Sequence, residues 1–279
     1  MRILYFTKSA GYEHDIVRHR EGVPSHSEAV LLRLGAAHGI DFVFSKDGSR
    51  FSPAYLAGFN AVMFFTGGDI SSVGDDGHPA VTPEGKQALL DAIAGGMGFL
   101  AVHSAGDTWH TFERGGGNPT DRHHRYRNHG AASDPYIRML GGEFINHGEQ
   151  QVGTARVVDP RFPGFAGLGP SLTIFEEWYS MKEYAPDIHV LLAMETEGMA
   201  GVDYQRPPSP LAWARLHGKG RVWFNGLAHR ADTWDGDAFQ AMLLGGLEWV
   251  GGRIEADITP NLVAVTPDAH VFPPEREGT

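Results

Sequence analysis

Imidazoles and carboxylates recur at one kind of place in this chain, directly after a short apolar run. His14 follows residues 3–6 through Thr7-Lys8-Ser9-Ala10-Gly11-Tyr12-Glu13, and Thr66-Gly67-Gly68-Asp69 follows Phe65. Val102 leads into His103-Ser104-Ala105-Gly106-Asp107-Thr108-Trp109-His110, and Phe144-Ile145 into Asn146-His147. Glu176-Glu177-Trp178-Tyr179 closes another apolar run, and Ala228-His229 comes after residues 221–225. Such groups move protons near neutral pH, or hold zinc, manganese or iron when three or four of them converge. One histidine alone is more often a surface or satisfied core residue; the repeated placement at strand ends is what carries weight.

The chemistry is bounded by what is missing. Among 279 residues there is no cysteine, so disulfides, thiolate nucleophiles and Cys-ligated metals are excluded. The formal net charge of −11, with no basic run, argues against a nucleic-acid partner. No stretch approaches the roughly 20 apolar residues that span a bilayer, and residues 1–6 are too short for a secretory signal, so no membrane partner and a cytoplasmic location are expected. Tightly spaced metal motifs of the HExxH kind do not occur. His123, His124 and His129 fall in a segment rich in Arg, Gly and Asn, where solvated or lid residues are expected.

The elements that position these groups alternate. Strand-length apolar runs at 3–6, 42–44, 61–65 and 99–102 are separated by stretches long enough for helices, the pattern of a parallel sheet covered on both faces. Ser25-His26-Ser27-Glu28 has capping-box spacing ahead of Ala29, Val30, Leu31 and Leu34 and predicts a helix start. Thr82-Pro83 starts another helix that Gly95-Gly96 stops. Later pieces at 154–158, 172–178, 188–194, 211–216 and 221–225 are β-rich, with His217-Gly218-Lys219-Gly220 as a hairpin turn, so some antiparallel pairing is expected. Phe239, Met242, Leu243, Leu247 and Val250 share one face of a closing helix. Residues 1–254 read as a single domain. Residues 255–279, with several prolines, read as a tail on the surface or against a neighbour. Residues 110–128, with Gly115-Gly116-Gly117, read as a lid or rim.

Taken in order, several segments resemble the ThuA-like (trehalose utilization) family: residues 7–14, Thr66-Gly67-Gly68-Asp69, 103–108, 140–147, Glu177-Trp178-Tyr179, 210–213 and 220–229. The resemblance runs from about residue 1 to about residue 250. It implies a flavodoxin-like doubly wound, mainly parallel sheet of the class I glutamine amidotransferase-like kind, with extra β-rich segments in the C-terminal half. It also implies a role in bacterial disaccharide and keto-sugar catabolism. The polar residues carried over by position are His14, His103, Asp107, His147, Glu177 and His229. In related enzymes of this fold a Cys-x-Gly or Ser-x-Gly elbow follows the strand, and Ser104-Ala105-Gly106 falls there.

The reading that follows is an enzyme, a lyase, hydrolase or isomerase, acting on a sugar-like small molecule. His103, Asp107, Glu177 and His229 are the candidate catalytic groups. His14, Asp69 and His147 are candidate substrate-binding residues, with Tyr12, Trp109, Trp178, Tyr179 and Trp213 as flat faces for a sugar ring. His14, His103, His147 and His229 are the imidazoles available to a divalent metal. Two alternatives stand beside it: a serine hydrolase or peptidase using Ser104, and a non-catalytic sugar-binding or interaction module. A homo-oligomer is left open.

Overall fold

The computed structural model describes residues 1–20, 22–111 and 125–275. The expected lid therefore falls largely outside the described residues. The strands are β1 (Arg2–Phe6), β2 (Asp41–Ser45), β3 (Ala61–Phe64), β4 (Gly98–Val102), β5 (Glu143–His147), β6 (Gln151–Val157), β7 (Ser171–Glu176), β8 (Tyr179–Lys182), β9 (His189–Glu195), β10 (Ser209–His217) and β11 (Gly220–Asn225).

Nine of them form one sheet in the order β2-β1-β3-β4-β11-β10-β9-β6-β7. From β2 to β11 every pairing is parallel, the doubly wound order of flavodoxin-like folds. From β11 to β7 every pairing is antiparallel, which is the β-rich C-terminal half. Alternate residues along the strands feed opposite faces. Ile3, Tyr5, Met63, Leu100 and Trp223 belong to one core, and Leu4, Phe6, Phe64, Phe99 and Phe224 to the other. Both faces of a parallel sheet must be covered, which is why the inner stretches of these strands, residues 3–6, 61–64, 98–102 and 222–224, are apolar rather than alternating.

The helix signals act as read. Ser25 accepts from the Glu28 N–H while the Glu28 side chain accepts from the Ser25 N–H, and the helix His26–His38 ends on Gly39 in the left-handed region. Thr82 caps Pro83–Gly95, and Asp237–Val250 closes the sheet with its apolar face inward. His217 and Gly220 bound the β10–β11 hairpin, with Gly218 at φ +59°.

Two differences matter for the site. The apolar run at 172–178 is not one strand: β7 ends at Glu176, and the chain leaves the large sheet through Glu177-Trp178 to begin β8. His147 is the last residue of β5 rather than a residue beyond it, and β5 pairs antiparallel with β8 in a separate two-stranded sheet. Trp178 forces the break. It is fully buried, its Nε1 donates to the Gln151 carbonyl at 3.0 Å, and its ring lies where a Cβ on Gly153 would come within 2.6 Å.

The C-terminal segment is pinned across β9. Asn261 bonds both the N–H and the carbonyl of Val190, and Arg206 donates to the Ala269 carbonyl. No helix among the described residues is long and apolar enough to cross a membrane.

Candidate functional site

The carboxyl ends of β1, β3, β4 and β11 meet at one rim, and the chain turns sharply there. His103, first after β4, has φ +46°, and Ala228, after β11, has φ +102°. Such conformations cost non-glycine residues about 1–3 kcal/mol each and persist where the surroundings hold them. The Trp234 Nε1 holds Ala228 through its carbonyl at 2.9 Å, and a tilted Tyr179 ring covers His103 at a centroid distance of 4.1 Å. The small β5–β8 sheet thus roofs the elbow.

These turns aim side chains at a common point. The rings of His14, His103 and His229 lie 5.1 Å apart, pair by pair, each edge-on to the others. Glu177 joins them from the break between β7 and β8, its Oε2 3.3 Å from His103 Nε2 and 3.2 Å from His229 Nδ1. One ligand atom from each of His14, His103, Glu177 and His229 lies within 4.8 Å of all the others. The fourth member is a carboxylate; His147 stands beside it, its Nδ1 donating to the Gly148 carbonyl at 2.9 Å.

Hydrogen-bond partners assign the protons. His103 Nδ1 faces the Gly226 carbonyl at 3.1 Å and must donate to it, which leaves Nε2 with its lone pair toward the cluster. Arg230 donates to Gln150 Oε1 at 2.9 Å, so the Gln150 amide presents its NH2 to His229 Nε2 at 3.0 Å. A guanidinium cannot accept, so this orientation is forced, and the neutral His229 ring carries its proton on Nδ1, facing Glu177.

The electrostatics agree with a cation-seeking cluster. Burial, aided by the neighbouring His103 and His229 rings, pushes His14 well below its ordinary pKa, so it is neutral and ready to coordinate. Burial by itself would raise Glu177, but the imidazoles of His103, His229 and His147 around it hold it far below the carboxylate range. Glu176 points to the other side of the strand. Its carboxylate accepts from the His229 N–H at 2.6 Å and the Thr233 hydroxyl at 2.5 Å, and burial raises its pKa.

A cavity of about 420 Å³ opens over the cluster. Its walls bring together Tyr12, His14, Asp107, Phe144, His147, Gln150, Glu177, Tyr179 and His229. Tyr12 is 62% exposed and offers a ring face; burial raises the Tyr179 phenol so that it stays a donor.

Several residues expected in the site lie elsewhere. Asp69 caps the turn at Ser71. Trp109 is buried on Phe64 and Tyr136, with Nε1 on Ser71, and Lys86 sits over its ring. Trp213 stacks on Phe224 in the core and donates to the Leu140 carbonyl; Trp178 is spent on the strand break. Their N–H groups are satisfied internally, so burial is complete without a ligand. The elbow also sits one residue earlier than expected: the strained position is His103, and Ser104 follows it, with no histidine hydrogen-bonded to its hydroxyl among the described residues. Gln150 and Arg230 give no local signal in the sequence, because only the fold brings them to the cluster.

Comparison with known proteins follows the same lines. A ThuA-like protein from Bacteroides uniformis superposes with a TM-score of 0.60 at 15% identity over 89% of this chain and 90% of its own. A ThuA-like protein from Parabacteroides merdae gives 0.53 at 18% identity over 93% and 94%. A cytoplasmic protein of Salmonella typhimurium LT2 gives 0.56 at 16% identity over 92% and 100%. At these identities the likeness is one of fold. No curated protein sequence matches the chain. The family model for ThuA, described as trehalose utilisation, matches residues 2–250, and the chain therefore belongs to the ThuA family.

Proposed function

We propose that this chain is an enzyme of carbohydrate catabolism that acts on a sugar or keto-sugar in the pocket above His14, His103, Glu177 and His229. The observation that carries the reading is the convergence of those four groups within 4.8 Å at the floor of an open polar cavity. Three imidazoles and one carboxylate suit zinc, manganese or iron, and a divalent ion there would supply Lewis acidity toward a hydroxyl or carbonyl oxygen. The donor set fits such an ion. His14 is already neutral, His103 offers Nε2, Glu177 is ionised, and the one proton to be displaced is on His229 Nδ1.

The remaining residues bind and orient. Tyr12 offers a face for a sugar ring, while His147, Gln150 and Asp107 supply hydroxyl partners, the mix of flat apolar surface and few polar groups typical of small-molecule sites. Glu177 and His103 are positioned to hold or accept a proton beside the ligand. The test is metal content of protein purified without chelator, together with turnover of glycosides and keto-glycosides before and after chelation. Metal-free protein with full turnover would remove the metal from this reading. Tight sugar binding with no turnover would replace the enzyme by a binding module.

A further inference from the structure

Beside the four-group cluster, Asp107 connects the pocket to a buried line of ionisable groups. His110 Nε2 lies 2.5 Å from Asp107 Oδ1, and His110 Nδ1 lies 3.0 Å from Glu143 Oε1. Glu143 also accepts from the Thr111 N–H at 3.1 Å, and Lys182 Nζ stands 3.4 Å from its second oxygen. The His110, Glu143 and Lys182 side chains are exposed by no more than 2%, whereas that of Asp107 is 24% exposed and lines the cavity.

Counting protons along this line decides its chemistry. Burial would raise Glu143, but the His110 hydrogen bond, the His110 and Lys182 charges and the Thr111 N–H together hold it low, so it is an acceptor and His110 Nδ1 is its donor. With Nδ1 protonated, a bare Nε2 would aim its lone pair at a carboxylate oxygen at 2.5 Å, which is repulsive. One further proton must lie in that contact, and the Glu143 carboxylate against the other ring nitrogen holds it on His110. Lys182 balances Glu143, so the pair can hold that proton without an uncompensated buried charge.

We propose that Asp107 is the residue that exchanges a proton with the ligand, that His110 is the buried store of that proton, and that Glu143 and Lys182 are positioning residues that hold the imidazole. In the donating step the bond from the shared proton to the Asp107–His110 pair breaks as a new O–H bond forms on a substrate oxygen. The pair is left one unit more negative, and the reverse step restores it. No oxidant or co-reactant is consumed. The inference rests on the pocket being the reaction site, and it holds whether or not metal takes part.

The primary test uses the full chain as purified, labelled with ¹⁵N at histidine, at neutral pH, with the His110 signals assigned by their loss in His110→Gln. Both ring nitrogens of His110 are expected to report protons, and Asp107→Asn is expected to leave a single-proton tautomer. A single-tautomer His110 in the wild type would overturn the proposal. Should His110→Gln fail to fold, the change produced by Asp107→Asn identifies the ring. In turnover of nitrophenyl glycosides and their keto counterparts, Asp107→Asn should lower kcat by about 10²–10⁴-fold. His110→Gln should lower kcat with little change in KM and leave zinc binding as in the wild type. An unchanged kcat in folded His110→Gln would reduce the network to a structural ion cluster and refute the store. If the wild type turns over no glycoside, the functional reading fails, while the ring-nitrogen result still decides the placement of the proton.

Discussion

Glutamine in place of Glu177 keeps the shape of the side chain and removes one negative charge where imidazoles converge. Its Oε2 lies 3.3 Å from His103 and 3.2 Å from His229, and its Oε1 lies 3.5 Å from His147. In the metal-free protein the loss is that of the His229 hydrogen bond to a charged group, about 1.5–3 kcal/mol. For a bound ion the loss is larger, because Glu177 is the anionic member of the four. Removing an outer partner of a ligand costs about 10–100-fold in affinity, so removing the ligand itself should exceed about 100-fold, or some 2.7 kcal/mol. Zinc titration by calorimetry in the presence of a competing chelator, alongside urea unfolding, separates the two effects. The acid limb gives an independent check. The folded Glu177 carboxyl is held far below its ordinary value of 4.5, so its contribution is present above that pH and is lost as the pH falls through the low folded value. The stability gap between wild type and Glu177→Gln should therefore shrink in strong acid. Zinc affinity in Glu177→Gln equal to that of the wild type would refute the four-group site.

Other substitutions separate site from scaffold. Trp213→Ala should cost about 3–5 kcal/mol in urea unfolding, as for buried aromatics, without altering zinc affinity of the folded protein. Tyr12→Ala, at an exposed position, should stay within about 0.5 kcal/mol of wild-type stability yet weaken sugar binding measured by calorimetry; unchanged binding would remove Tyr12 from the pocket's working surface. Ser104→Ala should retain most turnover on glycosides, because the elbow's strained residue is His103; abolished turnover would restore the serine-hydrolase reading. Glu143→Gln should destabilise the protein by roughly 3–5 kcal/mol at neutral pH, since Lys182 and His110 lose a buried partner. Glu143 is held below 4.5, so that penalty should fade as the pH drops through its lowered value, and an acid titration of stability showing no such fading would contradict the assignment.

Local signals were legible in the chain itself. The Ser25–Glu28 box, the Thr82-Pro83 start, the glycine stops and the apolar inner stretches of the parallel strands are short-range effects of hydrogen bonding and burial, and each acts where it was read. The placement of His14, His103 and His229 just past strand ends was equally legible, since a doubly wound sheet brings those ends to one rim. What the chain could not disclose alone was which face each large side chain would take. Trp109, Trp178 and Trp213 are as plausible over a sugar as in a core, and only the tertiary packing buries them, Trp109 on Phe64 and Tyr136, Trp213 on Phe224, and Trp178 against Gly153 at the crossing. The same crossing sends Glu176 to the His229 backbone and Glu177 into the cluster. Consecutive residues of an extended chain point to opposite sides, and a slip of one residue would exchange them. The register that prevents the slip is set by contacts between segments far apart in sequence, such as Trp178 seated on Gly153, and it exists only once the sheet has formed.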